Sequence, residues 1–480
     1  MTLLELNIKI LKSMEELKMK YDKNNLNIAY IGGGSRGWAW NLMKDLSVDE
    51  EISGTVRLYD IDMDAAKANE KIGNMLSARA DVPGKWQYKA IETLKEALTG
   101  ADFIIISILP GSFEEMASDV HLPEEYGIYQ SVGDTVGPGG LVRALRTIPM
   151  FVEIAEAIKA HSPEAWVINY TNPMTLCTKT LYKVFPEIKA FGCCHEVFST
   201  QKLMAAMLKD MRGIEGIDRE EIKVNVIGIN HFTWLNSAAY QGEDLLALYR
   251  QFTEKYAEEG FAIDVEADAV RNGYFNSLNK VKFDLFRRYG LVAAAGDRHL
   301  AEFCPPWYLK DPETAGEWGF GLTPVSWRVK ELKDKMEKSR RLLSGEEQME
   351  LQHSGEEGIK QIKALVGLGD LVTNVNLPNM GQIRGLPSGA VVETNAVFSQ
   401  NSIRPVSAGQ LPDEVYSLVI RHVINQETVI KAAFSKDKAL AFKAFANDPL
   451  VNISIKDAER LFERMLANTR AYLRGWEIEK

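Results

Sequence analysis

The sequence has little cysteine, no long apolar run and no surplus of positive charge. Each shortage removes a class of protein. Only four cysteines occur in 480 residues: Cys177, Cys193, Cys194 and Cys304. Two are adjacent, a spacing that does not give an ordinary unstrained disulfide. So few cysteines, with no export signal, make a reducing cytoplasm the expected setting. No apolar run approaches the roughly 20 residues needed to span a bilayer. The net charge of −10 argues against non-specific binding to nucleic acid, which calls for a basic footprint. Residues 1–25 break their apolar positions with Lys and Glu at helical spacing, and no small-residue cleavage site follows. They read as a helical extension packed on the domain or a partner subunit, not as a signal peptide.

What is present is the composition of a globular protein. Hydrophobic residues make up 46% and charged residues 25%. The length implies two domains. Up to about residue 200, strand and helix signals alternate. NIAYIGG, TVRLYDID, ADFIIISILP, AWVINYTNP and IKAFGCC read as strands, with helices beginning near Trp38 and Asp64. That βαβ rhythm predicts a parallel sheet with helices on both faces over 26–200. Residues 201–480 are less regular. VNVIGINHFTWLNSAAY reads as strands, 329–365 as charged helix, and 412–480 as two or three helices. The expected fold is therefore α/β, a Rossmann-like parallel sheet followed by a mixed α+β domain. Without a Pro/Ser-rich linker, the two should pack tightly.

Gly32, Gly34 and Gly37 form G-x-G-x-x-G between a strand and a helix, with Gly33 and Ser35 inside the turn. Such a turn lets backbone approach a pyrophosphate, and the helix N-terminus supplies free N–H groups and a positive dipole end. Asp60 ends the second strand at the usual spacing from the turn. An acid there would take the ribose hydroxyls of NAD and repel a 2′-phosphate. The plain alternative, a glycine-rich turn that binds nothing, fits the strand, helix and acid less well.

Other motifs are weaker alone. Arg143 and Arg146 follow VGDTVGPGG three apart on a helix, and both would face one side and grip a carboxylate; a solvated helix face is the competing reading. Asn172 in NYTNP sits where a strand end would present it to a sugar hydroxyl, or it only starts a turn. Cys194 and His231 suit a divalent metal, but a buried inert cysteine is commoner. GDRHLAEF gathers Asp297, Arg298, His299 and Glu302 either as a site or as a salt-bridged helix start. Tyr289 is a base or a core aromatic.

Taken in order, IAYIGGGSRGW, LYDID, ADFIIISILPG, VGDTVGPGG, VINYTNP, FGCCHEV and GINHFTW resemble glycoside hydrolase family 4. The likeness runs from about residue 27 to beyond 395. It implies a fold like lactate and malate dehydrogenases and a mechanism unlike two-carboxylate glycosidases. In the family, NAD oxidises C3, a base removes the C2 proton, and the C1–oxygen bond breaks by elimination. Water then adds and the hydride returns. A divalent metal, usually manganese, stabilises the enediolate. Carried over, the family's metal ligands match Cys194 and His231, and its substrate-binding Asn matches Asn172. The base is open, with Tyr289 first and Asp297 and His299 behind it. CHEV, with His195 after the cysteine, resembles members that act on uronic acids, α-galacturonidases before α-glucuronidases. A uronate carboxylate needs a cation, for which Arg143, Arg146 or Arg298 stand ready. The resemblance thus implies a uronic-acid glycoside as partner; the charge and the lack of a long apolar run argue against nucleic acid and membrane, and the helical N-terminus and charged C-terminal helices suit a homodimer or homotetramer. Two other classes stay open at this stage: a plain sugar or hydroxy-acid dehydrogenase, and a non-catalytic NAD sensor.

Overall fold

The structure is a computed structural model that describes residues 21–263, 274, 275 and 277–478. Residues 1–20, most of the expected N-terminal helix, lie outside them.

The first half follows the alternation. β1 (Leu26–Ile31), β2 (Ser53–Tyr59), β3 (Lys85–Ala90), β4 (Phe103–Ile106), β5 (Trp166–Asn169) and β6 (Lys189–Gly192) lie in the order 3-2-1-4-5-6. All neighbours in that run pair parallel. This is the dinucleotide-binding strand order, in which a crevice opens between β1 and β4 at their carboxyl ends. β4, FIII, is wholly buried, as expected of a strand covered by helices on both faces. Burying each such side chain stabilises the fold by roughly 1.5–3 kcal/mol. β3 was not foreseen: KWQYKA alternates exposed polar residues with buried aromatics, the pattern of a half-buried edge strand.

The second half does not begin a new sheet. It contributes β7 (Lys223–Ile229), β8 (Phe232–Tyr240), β9 (Glu243–Asp244), β10 (Val292–Ala293), β11 (Leu371–Pro378), β12 (Ile383–Arg384), β13 (Val391–Ser399), β14 (Ser402–Pro405) and β15 (Gly409–Gln410). All but β12 and β15 continue the same sheet, giving 13 strands among the described residues. The join is antiparallel, β11 on β6, at Asn376 opposite Gly192. The charged stretch foreseen at 329–365 is two helices, Val325–Ser344 and Gly358–Val366, and the C-terminal region is three, Asp413–Ser435, Lys438–Ala446 and Ile455–Thr469. Among the described residues no helix is long and apolar enough to cross a membrane.

Candidate active site

The carboxyl ends of β1, β4, β5 and β6 open into a cleft of about 1120 Å³. Its first wall is the glycine turn after β1. Gly32 has φ 95°, and a Cβ there would stand 1.9 Å from the Ser107 carbonyl oxygen, so only glycine fits. A Cβ on Gly34 would stand 2.9 Å from Asp60 Oδ2 and 2.8 Å from Ala65 Cβ. Asp60 accepts from the Gly34 and Asp62 N–H groups at 2.8 and 2.9 Å, which fixes its carboxylate at the end of β2. Ser35 Oγ accepts from Trp38 N at 3.2 Å at the start of the helix Trp38–Val48. Asn69, buried in the next helix, donates to the Gly33 and Ser35 carbonyls at 2.8 and 3.0 Å, propping the turn from behind. Ile61, 96% exposed, lines the cleft just beyond Asp60 and offers an apolar face to a flat ring. The turn is thus a rigid cradle with backbone close to where a pyrophosphate would sit.

The opposite wall gathers side chains of the kind that ligate a cation. Asp134, His231 and His299 each offer one ligand atom, and these atoms lie within 4.8 Å of one another. His231 occupies the short turn between β7 and β8 with φ 63°. Such a left-handed conformation costs a residue other than glycine of order 1–3 kcal/mol and clusters at functional positions. Its Nδ1 meets Thr135 Oγ1 at 2.9 Å, which orients the ring and leaves Nε2 for the cleft. The His231 and His299 rings stack with centroids 3.8 Å apart. Burial, then His299, pushes the His231 pKa down to about 3, and burial lowers His299 also. Both rings are therefore neutral and able to ligate. His299 Nδ1 is buried without a partner, as a vacant ligand atom would be. Burial opposes ionisation of Asp134, but the Arg143 guanidinium and the hydrogen bond from Thr135 Oγ1 hold its pKa well below the usual carboxylate range. Two neutral imidazoles and a carboxylate suit a divalent first-row metal.

Cys194 and His231, the expected pair of ligands, line the same cleft; His231 also belongs to the compact group with Asp134 and His299, and Cys194 lies outside that group. Burial, then the Glu393 and Glu196 carboxylates, raises the Cys194 pKa well above normal. It would therefore ligate only by releasing a proton to an incoming cation. His195 begins the helix Glu196–Arg212. Burial alone would depress its pKa, but Glu356, 2.9 Å from its Nδ1, lifts it to about 9. Trp38 packs across Tyr170 and His195 with centroids 5.3 and 6.2 Å away.

The cationic and basic candidates separate. Arg143 reaches the cleft and donates from Nε to the Asn172 carbonyl at 3.1 Å. Arg146 does not. It is fully buried and paired through both Nη atoms with Asp119 at 3.0 and 2.5 Å, while its Nε donates to the Pro110 carbonyl. Its expected role at a substrate carboxylate is corrected to anchoring the loop after β4. Tyr289 is also away from the cleft. It packs edge-on against Trp234 at 6.1 Å, at the far end of the helix Lys280–Tyr289, so it is a satellite of the core and not a base at this site. Asp297 does line the cleft. Its oxygens cap the first turn of Lys280–Tyr289 through the N–H groups of Val281 and Lys282, and burial lifts its pKa to about 6. Arg298 is buried beside it, donating to the Ser131 carbonyl and to Thr323 Oγ1. Asn172 donates to Asp134 Oδ2 at 3.2 Å, and its Oδ1 is buried with no partner, open to a hydroxyl donor.

Asp134 and Glu196 are cleft residues that had no role assigned from the sequence. Asp134 lies inside VGDTVG, where the flanking glycines mask the acid between them. Glu196, the third letter of CHEV, lines the cleft and accepts from Gly296 N at 2.7 Å. Glu302 of GDRHLAEF turns out to be a support. Its Oε1 accepts from Val132 N and Gly133 N at 2.7 and 2.8 Å, holding the loop that presents Asp134.

A dinucleotide cradle and a metal-ligand group facing one cleft define an α/β protein that works with both. Residues 27–210 match the Family 4 glycosyl hydrolase, and residues 226–451 match the Family 4 glycosyl hydrolase C-terminal domain. A relative from Thermoanaerobacterium saccharolyticum named Alpha-galacturonidase is 67% identical over 95% of this chain and 98% of its own. The crystal structure of the Bacillus subtilis protein lplD superposes with a TM-score of 0.88 at 55% identity, covering 92% of this chain and all of that one. A 6-phospho-alpha-glucosidase from gut microorganisms, solved with NAD and Mn2+, shares the fold at TM-score 0.79 and 19% identity, over 95% and 100% of the two chains. The chain belongs to the family 4 glycosyl hydrolases, and it is a glycoside hydrolase.

Proposed function

We propose that the chain is an exo-acting α-galacturonidase that uses NAD and a divalent metal, manganese first, on small pectic fragments. One observation carries the reading: the glycine cradle and the Asp134–His231–His299 group open on the same cleft. The name of the 67% identical relative supports the choice of sugar.

When bound, NAD would supply a hydride acceptor for the sugar, and a divalent metal would supply Lewis-acid polarisation. The chain's own residues do the rest. The turn Gly32–Gly37, with Gly33 and Ser35, holds the pyrophosphate on backbone N–H groups, and Asp60 takes the ribose hydroxyls. Asp134, His231 and His299 hold the cation, with Cys194 beside them. Asn172 Oδ1, buried and unpartnered, accepts from a sugar hydroxyl. Asp297 is the cleft-facing candidate left to take the C2 proton, since Tyr289 is elsewhere and His299 belongs to the cation group. His195, held by Glu356, adds positive character beside the cysteine.

The test is release of 4-nitrophenol from 4-nitrophenyl α-galacturonide with NAD, Mn2+ and a thiol reductant. Hydrolysis without net NADH, stopped by a chelator, is expected. Stoichiometric NADH from a free sugar acid would instead mean a dehydrogenase, and preference for the glucuronide would move the sugar. Paramagnetic resonance of free Mn2+ checks the ligands. His299→Ala should weaken Mn2+ binding by roughly tenfold or more, and unaltered binding removes His299 from the group.

A further inference from the structure

A uronate carboxylate needs a cation, and several cations in the cleft are already matched to an anion, while Arg36 sits in the glycine turn on the cofactor wall. Arg143 lies beside the Asp134 carboxylate, His195 is held by Glu356, and Lys335 is paired with Glu331 at 2.7 Å. Arg298 and Arg328 differ. Both line the cleft. Arg298 comes from the helix Asp297–Phe303 and Arg328 from the first turn of Val325–Ser344, two segments distant in sequence. Arg298 is fixed by neutral acceptors, the Ser131 carbonyl and Thr323 Oγ1, and its buried Nε has no partner. Arg328 makes no hydrogen bond or ion pair among the described residues.

The two guanidiniums stand close enough to repel each other. An aromatic bridge links them: the Arg298 guanidinium lies 5.2 Å over the Phe275 ring, and Phe275 packs at 5.0 Å on Trp327, next to Arg328 in sequence. Like charges brought together with only partial balance among the described residues raise the energy of a free protein, so a fold that keeps them together favours an anionic ligand between them. Planar forks suit a carboxylate better than an ammonium would.

Resting on that reading of the function, we propose that Arg298 and Arg328 form the clamp for the carboxylate of the sugar being cleaved. Arg328 is then the specificity-determining residue, because Arg298 is partly balanced by Glu302 and Arg328 by nothing described. His299, next to Arg298, belongs to the cation group, so the clamp places C6 of the sugar beside the metal side of the cleft.

The test compares wild type, Arg328→Gln and Arg328→Lys. Aryl α-galacturonide and aryl α-galactoside share a leaving group and differ at C6. In Arg328→Gln the ratio of their kcat/KM values should fall roughly 10- to 150-fold, the worth of a charge-assisted hydrogen bond. Lys should restore part of it. Calorimetry with free galacturonate and galactose should show the same selective loss, while NAD affinity reports an intact fold. An unchanged ratio overturns the clamp. Equal losses on both glycosides also overturn it, since they mean a structural role. A loss seen only with digalacturonate would place the carboxylate in the leaving-group subsite and overturn it too. If wild type cleaves no galacturonide, the function fails separately, and the calorimetric preference for galacturonate over galactose still decides the clamp.

Discussion

Removing Arg146 separates a structural cation from a substrate cation. Arg146 has no exposed surface and Asp119 has 2% of its side chain exposed. The pair is bidentate, and a third bond runs from Arg146 to the Pro110 carbonyl. An Arg146→Met variant keeps most of the side-chain volume but strands the Asp119 carboxylate in a dry interior. Breaking one partner of a buried pair costs about 3–5 kcal/mol, because the remaining charge is left uncompensated. A surface pair is worth ~0–1 kcal/mol by contrast; Arg464–Glu125, with side chains 46% and 57% exposed, is such a pair. Replacing both partners, Arg146→Met with Asp119→Leu, should recover most of the loss, since a well-packed apolar pair is often no worse than a buried ion pair. The assay is the urea midpoint of each variant at an unchanged slope. The galacturonide-to-galactoside preference of the folded variants should stay as in wild type, because Arg146 reaches no cleft surface. A single variant with a wild-type midpoint and a selective loss on galacturonide would refute this reasoning and return Arg146 to the substrate.

His422 is buried, and its Nε2–H donates to the Phe303 carbonyl at 2.7 Å. Burial lowers its pKa from 6.5 to about 4. The unfolded chain therefore binds the extra proton first, and stability falls as pH drops through that window. Wild type should lose about 2 kcal/mol between roughly pH 7 and pH 5 from this group. His422→Gln should flatten that part of the slope, and a slope unchanged by the substitution counts against it. Gly34→Ala should cut NAD affinity roughly tenfold or more, about 1.4 kcal/mol, because the new methyl displaces Asp60. A fluorescence titration showing wild-type affinity would mean the turn is not the cofactor cradle.

Local signals carried most of the first half of the fold because β1, β4, β5 and β6 are short apolar runs bounded by turn chemistry, whereas β3 alternates polar and aromatic residues and gave no such run. The glycine turn and Asp60 were legible for the same reason: strand, turn and acid are close in sequence, and their spacing has one geometric meaning. The second half was harder. Its strands are separated by long insertions, and nothing local says that β11 pairs back onto β6. Arg143 and Arg146 show the limit of helical spacing. Residues three apart are neighbours on a helix but do not share one bearing. One reaches the cleft and the other turns into the interior, because the helix Gly137–His161 is covered on every side over this stretch. Tyr289 was offered by residue type alone, which carries no direction. Arg328 had no motif around it, and only the return of a distant helix to the cleft brings it beside Arg298.

The antiparallel seam at Asn376 and Gly192 has a practical meaning for anyone dividing the gene. A fragment ending near residue 200 would keep the glycine turn but leave β6 as a bare margin, with its N–H and C=O groups turned outward. Such a margin templates association with other chains. The strand that shields it does not begin until Leu371, long after the ribosome has released the first half of the sheet. During synthesis the chain must therefore carry an unfinished border for much of its length, and closing that border is the step at which folding and aggregation compete.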